Sequence, residues 1–181
     1  TQTPKYAAKA AAKTEQRGRP RAKSDYGIGL VEKQKARYSY GVSSEQFTKY
    51  VKQALEKRGD SALVLLNTLE SRLDNIVLRG GFASTRQAAR QMTSHGHITV
   101  NGHIVTIPSY AVKTGDVIGI RPGSSGKVLF TSVPERMKTV KLPAWLKLDF
   151  DKKTVTVDGV PTVAPTELLF NVRTVLEFYS K

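Results

Sequence analysis

The chain has 181 residues, with 29 Lys and Arg against 15 Asp and Glu, giving a formal net charge of +14. Such an excess favours a polyanionic partner, because every phosphate neutralised releases counterions. Cysteine is absent, which excludes disulfides and thiolate-bound zinc, and no apolar run approaches the ~20 residues of a membrane-spanning helix.

From Thr1 to Lys23 the chain is mostly Ala, Lys and Arg, with Lys5, Lys9 and Lys13 recurring every four residues. Arg17, Arg19, Arg21 and Lys23 then alternate around Gly18 and Pro20, which oppose a helix. This stretch reads as a basic arm that lies extended on RNA. It holds no apolar signal-peptide core; its single acid, Glu15, leaves an organellar presequence remnant compatible with it.

Tyr26 to Tyr40 is expected to be helical at its centre, with Leu30, Lys33, Gln34, Arg37 and Tyr38 forming a mixed basic and apolar face. Ser43 and Gln46 have capping-box spacing ahead of Phe47, Val51, Ala54 and Leu55, and Gly59 fits a left-handed stop. Asp60 or Ser61 then caps a third helix, expected to run unbroken to Gly80-Gly81 with Leu66, Leu69, Leu73, Ile76 and Val77 facing a core. A fourth helix is expected from a Ser84 cap, with Ala88, Ala89 and Met92 inward and Arg86, Gln87 and Arg90 outward. Gly96 closes it.

His97 to Val100 alternates and meets Asn101-Gly102, a dipeptide that tolerates positive φ at both centres of a hairpin turn; His103 to Ile107 returns. Tyr110 to Val112 and Val117 to Ile120 read as further strand around Gly115-Asp116. After a flexible GSSGK, strands are expected at Val128 to Phe130, Trp145 to Phe150 and Thr154 to Val157, then a short final helix. The fold class is α+β.

Catalytic patterns are lacking. There is no GxSxG elbow, and Gly126-Lys127 is followed by Val128-Leu129 where a phosphate loop needs a hydroxyl. The spacing of His95, His97 and His103 is not a zinc pattern, so neither metal nor cofactor is expected. Arg72-Leu73-Asp74 matches a short string that carries the catalytic aspartate of many pseudouridine synthases. Here it sits in a Leu-striped helix, so Asp74 is expected to pair with an arginine or face solvent. Arg79, Arg86, Arg90, His95, His97 and Lys113 instead suit the phosphates of a folded RNA, with Thr85, Ser94 and Asn101 placed to hydrogen-bond phosphate or 2′-hydroxyl oxygens. The competing readings are an RNA-modifying enzyme working through Asp74, and a general DNA- or RNA-binding regulator.

Thr85-Arg86, Ala89-Arg90-Gln91, His95-Gly96-His97-Ile98, Val100-Asn101-Gly102, Pro108-Ser109-Tyr110 and Gly115-Asp116 resemble the S-four RNA-binding domain. The flanks narrow the likeness. Lys23-Ser24-Asp25-Tyr26-Gly27, Glu32-Lys33-Gln34-Lys35, Tyr40-Gly41-Val42, Gln46-Phe47, Leu69-Glu70-Ser71-Arg72-Leu73-Asp74-Asn75 and Glu177-Phe178-Tyr179-Ser180-Lys181 resemble the bacterial-type family of ribosomal small-subunit protein four. The likeness covers roughly residues 20 to 181.

The resemblance implies a non-enzymatic RNA clamp. A basic arm (1–23) would precede a helical domain (24–82, completed by 166–181) into which an S-four domain with an antiparallel sheet (83–165) is inserted. The implied partners are the 5′ domain of 16S-type ribosomal RNA at a multi-helix junction, ribosomal protein five, and messenger RNA (mRNA) where it enters the subunit. Early assembly and decoding accuracy are the implied roles, in the cytoplasmic ribosome of a bacterium or in an organelle, with no membrane partner. The implied RNA contacts are Lys23, Ser24, Tyr26, Lys33, Arg37, Arg72, Arg86, Arg90, His95, His97 and Lys181. Some members carry a four-cysteine zinc knuckle near the N-terminus; this cysteine-free chain implies none.

Overall fold

A computed structural model describes residues 24–163 and 167–180. Among them are seven helices and one antiparallel sheet. The helices are α1 (Asp25–Tyr40), α2 (Ser44–Glu56), α3 (Ser61–Glu70), α4 (Leu73–Arg79), α5 (Arg86–Ser94), α6 (Val133–Thr139) and α7 (Val172–Ser180). The strands are β1 (Ile98–Val100), β2 (His103–Ile104), β3 (Val117–Ile120), β4 (Leu146–Asp149) and β5 (Thr154–Val157), in the order β2-β1-β3-β5-β4. The α+β class follows directly.

Two apolar clusters share no residue. The first is all-helical: Ala36 and Tyr40 of α1, Phe47, Val51 and Ala54 of α2, and Leu65, Leu66 and Leu69 of α3 pack with Phe170, Val172 and Val175. The C-terminal helix thus returns to the N-terminal helices. Close approach of α1 and α7 requires Gly29, where a Cβ would sit 2.8 Å from Phe178 Cδ2. The second cluster lies between the sheet and α4 to α6, and includes Leu73, Ile76, Val77, Ala89, Met92, Ile98, Ile118, Met137, Trp145 and Val155.

Local signals act mostly as expected. Ser43 caps α2 by accepting from Gln46 N at 3.2 Å, and Asp60 caps α3 through Ala62 N at 2.8 Å. Ser24, a cap the sequence analysis does not name, accepts from Gly27 N at 3.2 Å. Asn101 and Gly102 have φ of 51° and 81°, the pair of left-handed residues that a two-residue turn between twisted strands demands.

Several expectations are corrected. The third helix breaks at Ser71-Arg72: Arg72 is extended (φ −66°, ψ 138°) and bridges Ala111. There Leu73 N donates to Tyr110 O (2.9 Å) and Val112 N to Ser71 O (2.8 Å). This main-chain pairing is what becomes of the expected Tyr110 to Val112 strand. Apolar spacing persists across the break, so periodicity alone does not reveal it. The α5 cap is Thr85, one residue later than expected, accepting from Ala88 N at 3.1 Å. Lys57 ends α2 in an extended conformation, leaving Gly59 (φ 115°) in the loop beyond. Val128–Phe130 is a 3-10 turn: Phe130 is buried while Val128 is 89% exposed. A short helix, α6, stands in the supposed β-rich tail; its Val133 and Met137 are buried at i, i+4 spacing.

Candidate nucleic-acid interface

Four of the singled-out arginines converge where the two cores meet. At the end of α3 stands Glu70, 0% exposed. Its Oε1 accepts from Tyr40 Oη (2.6 Å) and Arg79 Nη2 (2.7 Å), and its Oε2 from Asn75 Nδ2 (2.7 Å) and Arg79 Nε (2.5 Å). Asn75 Oδ1 then accepts from Arg86 Nη1 at 2.6 Å, and the Arg86 guanidinium lies 4.8 Å from the Tyr40 ring centroid. One turn along, Arg72 grips Asp74 through Nε (2.9 Å) and Nη2 (2.6 Å) and donates from Nη1 to Tyr50 Oη at 2.7 Å. Arg90 Nη2 reaches Asp74 Oδ2 at 3.2 Å.

The electrostatics follow from burial. Burial raises the Tyr40 hydroxyl above its ordinary value, and the adjacent Glu70 charge adds to that. For Arg72 and Arg79 burial works against the charge, but hydrogen bonds and attraction from Asp74 and Glu70 outweigh it, so both hold their protons more tightly than usual. Burial wins at Arg86, whose value is lowered.

The expected outward face of α5 therefore needs correction. Gln87 is exposed, but Arg86 turns toward Asn75 and Tyr40, and Arg90 is held on one side by Asp74 while its side chain stays 42% exposed. Arg72 is 3% exposed, with both faces of its guanidinium fork engaged. Asp74 pairs with arginine, as the sequence reading anticipates. The cavity above Asp74, lined by Tyr40, Gly41, Asp74, Arg86, Gln87 and Arg90, measures about 40 Å³. That admits a water and not a nucleobase.

A second cluster, His95 and His97 with Arg121 and Lys127, lies at the end of α5. His95 is exposed, its ring 6.1 Å from that of half-buried His97. His97 Nδ1 is 2.9 Å from Ser124 Oγ, and its ring meets Phe130 edge-on. Partial burial, then Lys127, His95 and Arg121, hold the His97 value below the usual 6.5. Lys127, which ends the stretch read as flexible, and Arg121, two residues before that stretch begins, were not singled out from sequence; their signal is charge flanking a Gly/Ser run.

The remaining candidates are dispersed. In the hairpin, Asn101 donates to Asp116 Oδ1 (2.8 Å) and accepts from Val117 N (2.9 Å), while exposed Lys113 donates its backbone N–H to Asp116 Oδ2 (2.8 Å). On α1, exposed Ser24 is the cap, Tyr26 is 68% exposed and packs on Phe178 at 5.3 Å, and Lys33 Nζ lies 5.2 Å from the Phe178 and Tyr179 centroids. Arg37 bonds Gln34 (2.9 Å) and stacks on Tyr38 at 4.3 Å. Arg17, Arg19, Arg21, Lys23 and Lys181 fall outside the described residues. Among the described residues no group of three or more His, Cys, Asp or Glu could hold a metal, and no helix is long and apolar enough to cross a membrane.

Tyr40, Tyr50 and Glu70 are the structurally decisive residues that the sequence reading missed as a group. A signal existed: Glu70 sits on the Leu66-Leu69-Leu73 face, where an acid must find a buried partner.

Comparison with known proteins resolves what this architecture is. The Ribosomal protein S4/S9 N-terminal domain family matches residues 3–70, and the S4 domain family matches residues 71–118. The Small ribosomal subunit protein uS4 of Akkermansia muciniphila is 45% identical over 159 residues, 88% of this chain and 78% of that one. That of Cutibacterium acnes is 46% identical over 165 residues, 91% and 82% of the two chains. That of Polaromonas naphthalenivorans is 46% identical over 158 residues, 87% and 76%. The chain belongs to the small ribosomal subunit protein uS4 family and is a structural, non-enzymatic ribosomal protein with an RNA-binding S4 domain.

Proposed function

We propose that this protein binds the 5′ domain of small-subunit ribosomal RNA at a multi-helix junction and holds it in its assembled geometry. The observation that carries the reading is that uS4 relatives match 87–91% of a chain of charge +14, with family models covering residues 3–70 and 71–118 on either side of the Ser71-Arg72 break. Binding is electrostatic and shape-based, with cations on phosphates and no bond made or broken. The division expected from sequence, a helical domain of 24–82 with 166–181 and an S4 domain of 83–165 behind a basic arm (1–23), shifts in this reading to a boundary at the Ser71-Arg72 break, because Leu73, Ile76, Val77 and Phe82 pack in the cluster of the sheet.

Exposure sorts the proposed contacts. Ser24, Tyr26, His95, Asn101 and Lys113 are exposed, and Lys33, Arg37, Arg90 and His97 are partly so; these face the RNA. The arm residues Arg17, Arg19, Arg21 and Lys23, with Lys181, add phosphate contacts. Arg72, and in large part Arg79 and Arg86, serve the fold first. The protein nucleates subunit assembly, borders ribosomal protein five, and contributes to decoding accuracy and to the path by which mRNA enters. The relatives compared are bacterial, which favours a cytoplasmic ribosome.

Hydroxyl-radical footprinting on a 5′-domain ribosomal RNA fragment tests this. The expected result is protection of helices that converge on one junction. Protection scattered over all accessible backbone would contradict it.

A further inference from the structure

Because, among the described residues, no buried apolar residue belongs to both cores, their relative orientation falls to the polar seam and the covalent connections. The seam crosses at defined points. Glu70 of α3 takes hydrogen bonds from Asn75 and Arg79 of α4. The Arg86 guanidinium of α5 covers the Tyr40 ring of α1 at 4.8 Å. Arg72, at the break between α3 and α4, donates to Tyr50 of α2. Every buried acid in the seam has an arginine, and Asn75 spends its amide on Glu70 and its carbonyl on Arg86. Such a saturated network has one low-energy arrangement, since any rotation of one core on the other strands a buried charge.

We propose that Arg86 is a positioning residue: with Tyr40, Glu70 and Asn75 it latches the two cores at the angle that RNA requires, and does not itself neutralise a phosphate. The proposal rests on the RNA-binding reading above. Its distinctive consequence is a division between affinity and salt dependence. Removing a phosphate ligand lowers the magnitude of the slope of log K against log salt by about 0.7–0.9. Loosening a latch lowers the fraction of molecules in the competent orientation and weakens binding by the same factor at every salt concentration.

The test uses the full-length chain, with Arg86→Ala and Tyr40→Phe, the latter removing one hydroxyl from a residue that is 5% exposed. Both variants are expected to bind a 5′-domain ribosomal RNA fragment about three- to tenfold more weakly, with the wild-type salt slope. Thermal unfolding of each confirms that it is folded. An Arg86→Ala slope reduced by about one, with Tyr40→Phe binding like wild type, would overturn the proposal. Independently of RNA, Lys52→Cys on α2 and Lys147→Cys on β4 place unique spin labels in a chain without cysteine. The inter-label distance distribution should broaden in Tyr40→Phe and in Arg86→Ala; an unchanged distribution in both also overturns it. If wild type shows no preference for ribosomal RNA, the function fails, and the spin-label distances alone decide the latch.

Discussion

Replacing Glu70 with glutamine gives the sharpest view of what holds the two cores together. Glutamine keeps the shape but exchanges one acceptor oxygen for a donor. If the new amide took the Oε2 position, it would face two donors, Asn75 Nδ2 and Arg79 Nε. At the Oε1 position only Arg79 Nη2 is opposed, because the Tyr40 hydroxyl can rotate to accept. The amide therefore settles there, and the variant loses one charge-assisted bond and the ion-pair attraction. Breaking a buried pair by neutralising one partner costs about 3–5 kcal/mol. Arg79 is 23% exposed in its side chain, so water relieves part of its stranded charge and places the cost near the lower bound, about 3 kcal/mol. Urea unfolding should show the loss with an unchanged m-value, and the melting temperature should fall by about 6–12 °C. A Glu70→Gln variant within about 0.5 kcal/mol of wild type would refute the seam as a source of stability.

Other outcomes follow from single contacts. Gly29→Ala places a methyl 2.8 Å from Phe178 Cδ2 and 3.2 Å from its Cβ, and should cost about 1–3 kcal/mol by thermal unfolding as α1 is pushed off α7. Asn101→Asp replaces the amide donor with a carboxylate that faces Asp116 Oδ1. It should destabilise by about 1–2 kcal/mol in thermal unfolding at neutral pH. His97 titrates below 6.5 when folded, so the unfolded chain binds more protons in the window between its folded and unfolded values. Its contribution to stability therefore falls as pH drops through that window. Unfolding midpoints of wild type should decline more steeply than those of His97→Gln between about pH 7.5 and 5.5.

Much of this architecture is legible along the chain, and what is hidden has physical reasons. The Leu and Phe stripes of α2 and α3, the Ser43 cap and the Asn101-Gly102 turn are local signals that local structure obeys. The break at Ser71-Arg72 is not local, because it is stabilised by main-chain pairing with residues 108–112. The turn at Val128–Phe130 hides for a related reason: only Phe130 finds the core, and an apolar triplet does not say which member is buried. The i, i+4 pair of Val133 and Met137 is the signal for α6, but one such pair is too short to establish a helical period. In the candidate site, the spacing of Arg86 and Arg90 correctly places them on one helix face. What that face meets depends on Tyr40, Glu70 and Asn75, brought from other helices, so the direction of the guanidinium groups became visible only in three dimensions.

The most direct test of RNA recognition is competition binding across a salt series. The full-length protein is titrated onto a small-subunit ribosomal RNA 5′-domain fragment, with an unrelated structured RNA of equal length as competitor. Specific recognition predicts a preference for the ribosomal fragment that persists near physiological salt, where contacts driven by charge alone have weakened by orders of magnitude. Equal binding to both RNAs, falling in parallel as salt rises, would contradict it and leave only a +14 polycation attracted to any phosphate backbone.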